Sequence, residues 1–324
     1  MGIFLNSVAP YSLYESEVKK PYFVDKSLML EELFLPVETG NSHICITRPR
    51  RFGKTVMANM VSAFFSRGVD STEIFSKLKI AESTGYKKHL NTHDVIRIDF
   101  SRMPRNCNSY DKYIERIERI LIQDLMETFS KADIQEEDAV WDSLDLVYER
   151  YGGQRFIFVF DEWDCIFHKD FITDEDKKKY ISFLSSLLKD KAYVLLSYMT
   201  GILPIAKYSS GSELNMFAEY TMVSEKKFSD AFGFTEAEVD MLYARFLKNT
   251  GKPLLSRSGL KEWYDGYHVK GGERIYNPRS VVMALTNNNL GNYWTSSGPY
   301  DEIYYYIEKN VAGVRNDLAL MVSG

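Results

Sequence analysis

ITRPRRFGKTVMANM, residues 46–60, decides how the rest of the chain is read. Its first residues close an apolar run, HICIT (43–47), that reads as a strand. After Lys54, the residues Val56, Met57, Met60, Val61, Phe64 and Phe65 recur with the period of one helix face. Between them, Phe52-Gly53-Lys54-Thr55 supplies the end of the phosphate-loop pattern G-x-x-x-x-G-K-S/T. The strand–loop–helix setting is what gives those letters meaning. Backbone N–H groups at a helix N-terminus favour an anion. Lys54 would reach the β- and γ-phosphates of a nucleotide, and the Thr55 hydroxyl would ligate Mg²⁺. The leading glycine of the pattern falls on Arg48. Pro49 fixes its own φ and biases Arg48 toward extended backbone, so the turn must be built differently here. Arg48, Arg50 and Arg51 add positive charge beside any phosphate. On these residues alone the stretch fits two readings: a nucleotide loop running from Arg48 to Val56, or a basic helix entry with no ligand.

A second stretch bears on that choice. FIFVFDEWD (156–164) is an apolar strand that ends in Asp161-Glu162. Phosphoryl transfer needs a strand-end carboxylate to hold Mg²⁺ and a neighbouring base to activate the attacking water. Asp161 suits the first role, alongside Thr55 as a metal ligand, and Glu162 the second. Acidic residues also end strands for no catalytic reason, so the pair gains weight only beside the Gly-Lys-Thr loop. Ser197 and Thr200 lie at or near the end of AYVLLSYM (192–199). Either could sense a γ-phosphate from the strand beside the loop strand, or be an ordinary strand-end hydroxyl.

Apolar runs alternate with helical periodicity, which is the α/β signature. Strands are expected at 43–47, 94–100, 155–160, 192–199 and 219–224. Several are continuously apolar, as in a parallel sheet covered on both faces. Helices are expected after Lys54, from Ser109 through Phe129, and over 175–189. Beyond about residue 230 the strand–helix alternation stops. Thr235 with Glu238 reads as a capping box opening a helix, and another helix is expected over 278–287. The expected organisation is a mostly parallel sheet sandwiched by helices over 1–229, then a smaller, mainly helical domain over 230–324.

The chain has 324 residues, 45% apolar and 26% charged, a composition that excludes a disordered protein. A net charge of −5 argues against charge-driven nucleic-acid binding, which needs a basic face. Cys45, Cys107 and Cys165 form no C-x-x-C pair and fit a reducing cytoplasm. No apolar run is long enough to span a membrane, and the first residues do not read as a signal peptide. The five histidines show no metal-ligand spacing; His89 and His93 are separated by Asn91-Thr92, which reads as a turn.

Eight motifs occur in order along most of the chain. They are PYFVDKS (21–27), RPRRFGKT (48–55), FDEWD (160–164), TGILPIA (200–206), SELNMF (212–217), AFGFTEAEV (231–239), EWYDGY (262–267) and YNPRS (276–280). In this the chain resembles the AAA-ATPase-like family of bacterial and archaeal proteins, the predicted AAA-ATPases. The resemblance makes RPRRFGKT the expected loop, so Arg48 is not a sign of decay. It implies a P-loop NTPase with ATP and Mg²⁺ as cofactors. It also implies an ATP-binding loop of Arg48, Pro49, Arg50, Arg51, Phe52, Gly53, Lys54 and Thr55, with Asp161 and the extra catalytic Glu162 completing the site; Val56, next on the helix, and Thr200, from its strand position, join the expected ATP-binding set. Family members commonly carry a C-terminal nuclease-like domain of the PD-(D/E)XK type, for which the residues after Tyr300 are too few. Trp163 stands where Tyr is usual, and Arg279 where Trp is usual.

Two functional readings remain. In one, the chain is an Mg²⁺-dependent ATPase whose turnover changes the arrangement of its domains. In the other, ATP binds and stays as a switch, with hydrolysis negligible until a partner or a nuclease-like domain is present. A homo-oligomer is compatible with both. EWYDGY reads mainly as packing around an Asp265-Gly266 turn, or as a lid. Arg279 could touch the γ-phosphate or be a surface arginine, and Tyr22, Phe23, Asp25 and Lys26 could flank the adenine or be structural.

Overall fold

The computed structural model describes residues 2–209, 211–222, 227–268 and 274–293. The chain begins with α1 (Ala9–Val18) and α2 (Glu31–Thr39), then β1 (Ser42–Thr47) and α3 (Lys54–Phe65). Two one-turn helices, α4 (Thr72–Phe75) and α5 (Tyr86–His89), lead to β2 (Asp94–Asp99). Next come α6 (Tyr110–Thr128), α7 (Val140–Arg150), β3 (Phe156–Asp161), α8 (Asp174–Leu188), β4 (Val194–Gly201) and β5 (Ala218–Tyr220). The five strands form one parallel sheet in the order β2-β3-β4-β1-β5.

β3 is buried along its whole length, which is why FIFVF carries no polar alternation. On one face, Cys45, Ile98, Phe158, Phe160 and Met199 join the apolar sides of α6, α7 and α8 in a continuous core. α2 packs on β1 and β4, and α3 on β2, β3 and β4. Helix ends follow local rules: Ser109 caps α6, and Thr173 with Asp176 forms a capping box on α8. The acidic-basic run at 174–179 thus lies on the exposed first turns of α8.

By its contacts the chain divides into two compact units. The first comprises residues 1–47 and 54–220; the second comprises 48–53 and 221–324. The second unit holds α9 (Glu236–Asn249), α10 (Arg257–Tyr264), β6 (Asp265–His268), β7 (Arg274–Tyr276) and α11 (Pro278–Asn287). The capping box at Thr235 and Glu238 opens α9 as expected.

Three expectations are corrected. Asp265-Gly266 does not form a turn: both residues lie in β6, which pairs antiparallel with β7, so the helical unit also carries a small hairpin. The fifth strand ends at Tyr220; Thr221 and Met222 are not strand, and residues 223–224 lie outside the described residues. The fourth strand runs to Gly201, two residues beyond its expected end, so Thr200 belongs to the sheet. Residues 294–324 of the expected helical domain also lie outside the described residues.

Candidate nucleotide site

In the first unit, the candidate residues gather at the C-terminal edge of the parallel sheet, where open α/β sheets place ligands. β4 pairs with both β1 and β3, so it separates the strand that leads to Lys54 from the strand that ends in Asp161. Alternation puts Arg97, Val159, Asp161, Tyr198 and Thr200 on one face of the sheet. Thr200 is fully buried and its hydroxyl donates to Asp161 Oδ1 at 2.7 Å. The other oxygen of Asp161, Oδ2, lies 3.4 Å from an Arg97 guanidinium nitrogen. Asp161 is 1% exposed, so both of its oxygens are engaged inside the protein. Burial pushes the Arg97 pKa below its ordinary value, and Asp161 and Asp99 pull it back up.

Glu162 breaks from the strand at once. Its φ of 53° and ψ of 42° are left-handed, a conformation that costs a non-glycine residue roughly 1–3 kcal/mol. The kink leaves Asp161 in the sheet while Glu162 exits, and its side chain is 28% exposed. Lys54 Nζ lies 3.9 Å from Glu162 Oε1, a long ion pair between the residue expected to bind phosphate and the one expected to activate water. Thr55 is exposed on the first turn of α3, and Val56 is half-buried.

Asp164 is a residue the sequence reading did not single out. It is fully buried, and its Oδ2 accepts the backbone N–H groups of Ile202 and Leu203 at 2.9 and 3.0 Å. A side chain on Gly201 would collide with the Trp163 indole nitrogen. FDEWD and TGILPIA are therefore joined at the end of β4 through Trp163 and Asp164. Ser197 is not part of this junction: it lies mid-strand, paired in register with His43 and Phe158, on the face opposite Thr200. Asp25 has a structural role, since its carboxylate accepts the backbone N–H groups of Ser27 and Lys79. Tyr22 and Lys26 are half-buried, and Phe23 sets its ring edge against Tyr14 at 6.4 Å.

Loop 48–53 belongs to the second unit and packs within it. Arg48 is fully buried, donates to the Phe228 carbonyl at 3.2 Å, and stands over the Phe232 ring at 5.1 Å from its centre. Phe52 is 1% exposed and packs on Ile275, with Tyr267 edge-on at 4.7 Å. Arg51 has φ 69° and donates to the Tyr293 carbonyl at 2.7 Å. Burial, then the nearby Arg279 and Arg50 guanidinium groups, push the Arg51 pKa down. Asn277, which caps α11, donates to the Arg50 carbonyl at 3.4 Å. Pro49 is buried, and a Cβ built on Gly53 (φ 89°) would meet open space. AFGF, EWYDGY and YNPRS thus each supply a contact to this loop, whereas Trp263 of EWYDGY is exposed.

The oxygen donors on α3 and at the end of β3 are of the kind Mg²⁺ takes. Mg²⁺ in such sites takes one or two protein oxygens and completes its shell with water and phosphate. Thr55 and Asp161 are the oxygens at hand, although both Asp161 oxygens already hold protein partners, and no cluster of three or more His, Cys, Asp or Glu side chains able to cage a metal occurs among the described residues.

The profile of the predicted AAA-ATPase family matches residues 14–210. An uncharacterised protein from the vnfD 5′ region of Azotobacter chroococcum mcd 1 is 26% identical over 282 residues, covering 86% of this chain and 51% of its own length. The chain therefore spans about half of that curated relative. Among solved structures, the Walker-type ATPase PABY2304 of Pyrococcus abyssi superposes with a TM-score of 0.44 at 12% identity, covering 92% of this chain and 74% of its own. The ORC2 protein of Aeropyrum pernix gives a TM-score of 0.34 at 11% identity, covering 94% and 67%.

Proposed function

The chain belongs to the predicted AAA-ATPase family, and from that premise we propose that it is an Mg²⁺-dependent ATPase whose nucleotide state is passed to its second unit. The observation that carries the reading is the grouping of Lys54, Asp161, Glu162 and Thr200 at one edge of the sheet. When bound, Mg²⁺ would supply charge neutralisation at the β- and γ-phosphates, held from the protein side by Thr55 and Asp161. Lys54 binds phosphate, which releases Glu162 from the 3.9 Å ion pair to take a proton from water. Thr200 keeps Asp161 oriented and senses the terminal phosphate. Gly53 and the backbone of residues 48–52 cradle the phosphates, with Arg50, Arg51 and Arg279 as nearby positive charge. Because that loop packs with AFGF, EWYDGY and YNPRS, a phosphate that shifts the loop must also shift those contacts. The free thiols of Cys45, Cys107 and Cys165 suit the cytoplasm, and no described helix is long and apolar enough to cross a membrane.

A second reading is an ATP-held switch that hydrolyses only with a homo-oligomeric or nuclease-like partner. Release of inorganic phosphate from Mg²⁺-ATP separates the two. The ATPase reading expects turnover by the wild type, and a loss of roughly a hundred- to ten-thousandfold in Glu162→Gln with ATP binding retained. Binding without release by the wild type points to the switch. Equal turnover in both proteins removes Glu162 as the base.

A further inference from the structure

We propose that Arg97 is the positioning residue for Asp161: it holds the carboxylate from the β2 side while Thr200 holds it from the β4 side. The inference rests on the nucleotide reading of the site and deepens it.

Arg97 sits in the middle of β2, in register with Val159, on the inward face of the sheet. Only 8% of it is exposed. An arginine placed there must find a countercharge, because a buried unpaired cation is strongly destabilising. Asp161 is the carboxylate it reaches, at 3.4 Å. The next candidate along the strand, Asp99, is engaged by Arg102 at 3.1 Å and by the Ser101 hydroxyl at 2.6 Å.

The two oxygens of Asp161 are divided between two neighbouring strands. Oδ1 accepts from Thr200 and Oδ2 faces Arg97. The carboxylate plane is thereby set before any ligand arrives, and preorganisation of this kind spares reorganisation when charge enters a site. The Arg97 contact is long for a charge-assisted hydrogen bond, and Arg97 Nε has no hydrogen-bond partner among the described residues. The guanidinium therefore has both slack and an unused donor. It keeps the charge of Asp161 balanced without claiming a second carboxylate. A lysine would supply the charge without the planar fork that fixes the direction of an oxygen.

A merely structural ion pair would affect folding alone, so the test reads the metal. Binding of a fluorescent ATP analogue is titrated with Mg²⁺ in the full chain, for wild type and Arg97→Lys. The proposal expects the Mg²⁺ concentration at half-saturation to rise about tenfold or more in Arg97→Lys, with analogue affinity in the absence of Mg²⁺ unchanged. Wild type and Arg97→Lys with the same half-saturation overturn it. A wild type that binds no analogue overturns the nucleotide reading, and this proposal with it, which is a different result. Should Arg97→Lys fail to fold, the same Mg²⁺ titration is made with Arg97→Gln: a half-saturation raised about tenfold or more supports the proposal, and an unchanged one overturns it.

Discussion

The acidic end of β3 and the basic loop 48–53 are both short, charged and expected to face the same ligand, yet the protein builds them in opposite ways. At the strand end, charge is balanced by opposite charge: Asp161 by Arg97 within the sheet, with a Thr200 hydrogen bond beside it, and Glu162 by Lys54 of α3 at longer range. In the loop, charge is used as an anchor. Arg48 spends its side chain on the Phe228 carbonyl and the Phe232 ring, and Arg51 on the Tyr293 carbonyl. The arginine in place of the usual first glycine is thus a buried packing residue of the loop.

The comparison breaks most visibly through Phe52. Phe52→Ala removes a fully buried ring from its packing with Ile275 and Tyr267, at a cost of about 3–5 kcal/mol. Amide hydrogen exchange should speed up in α9, α10 and α11, with β3 and β4 unchanged. Faster exchange across the sheet instead would mean that the loop is held by the first unit. Gly201→Ala probes the other side with a smaller effect. Its new methyl collides with Trp163, costing about 1–3 kcal/mol, and exchange should rise in β3 and β4 while the helices of the second unit stay protected. Equal effects of the two variants on both regions would erase the distinction.

Much of this was legible because it is local. A strand, a Gly-Lys-Thr turn and a helix period define where Lys54 must lie, and an apolar run that stops at Asp161-Glu162 defines the strand end. Arg97 was not legible. DVIRIDF reads as a strand with Asp94, Arg97 and Asp99 among apolar residues, and the meaning of Arg97 comes only from register, which sets it beside Val159 and two residues from Asp161. Asp164 was hidden for the same reason, since its partners, the Ile202 and Leu203 amides, are distant in sequence. The β6–β7 hairpin escaped because strands of three or four residues are too short for a period, and Asp265-Gly266 carries turn chemistry. Ser197 and Thr200 looked equivalent in AYVLLSYMT, but an odd spacing puts them on opposite faces of the sheet.

The most direct test of the account is the affinity of the full chain for Mg²⁺-ATP, measured by calorimetry for wild type and Lys54→Ala. The account predicts saturable binding by the wild type and a loss of about a hundredfold, ~2.7 kcal/mol, in the variant. Equal affinity in the two proteins, or no binding by the wild type, would contradict it.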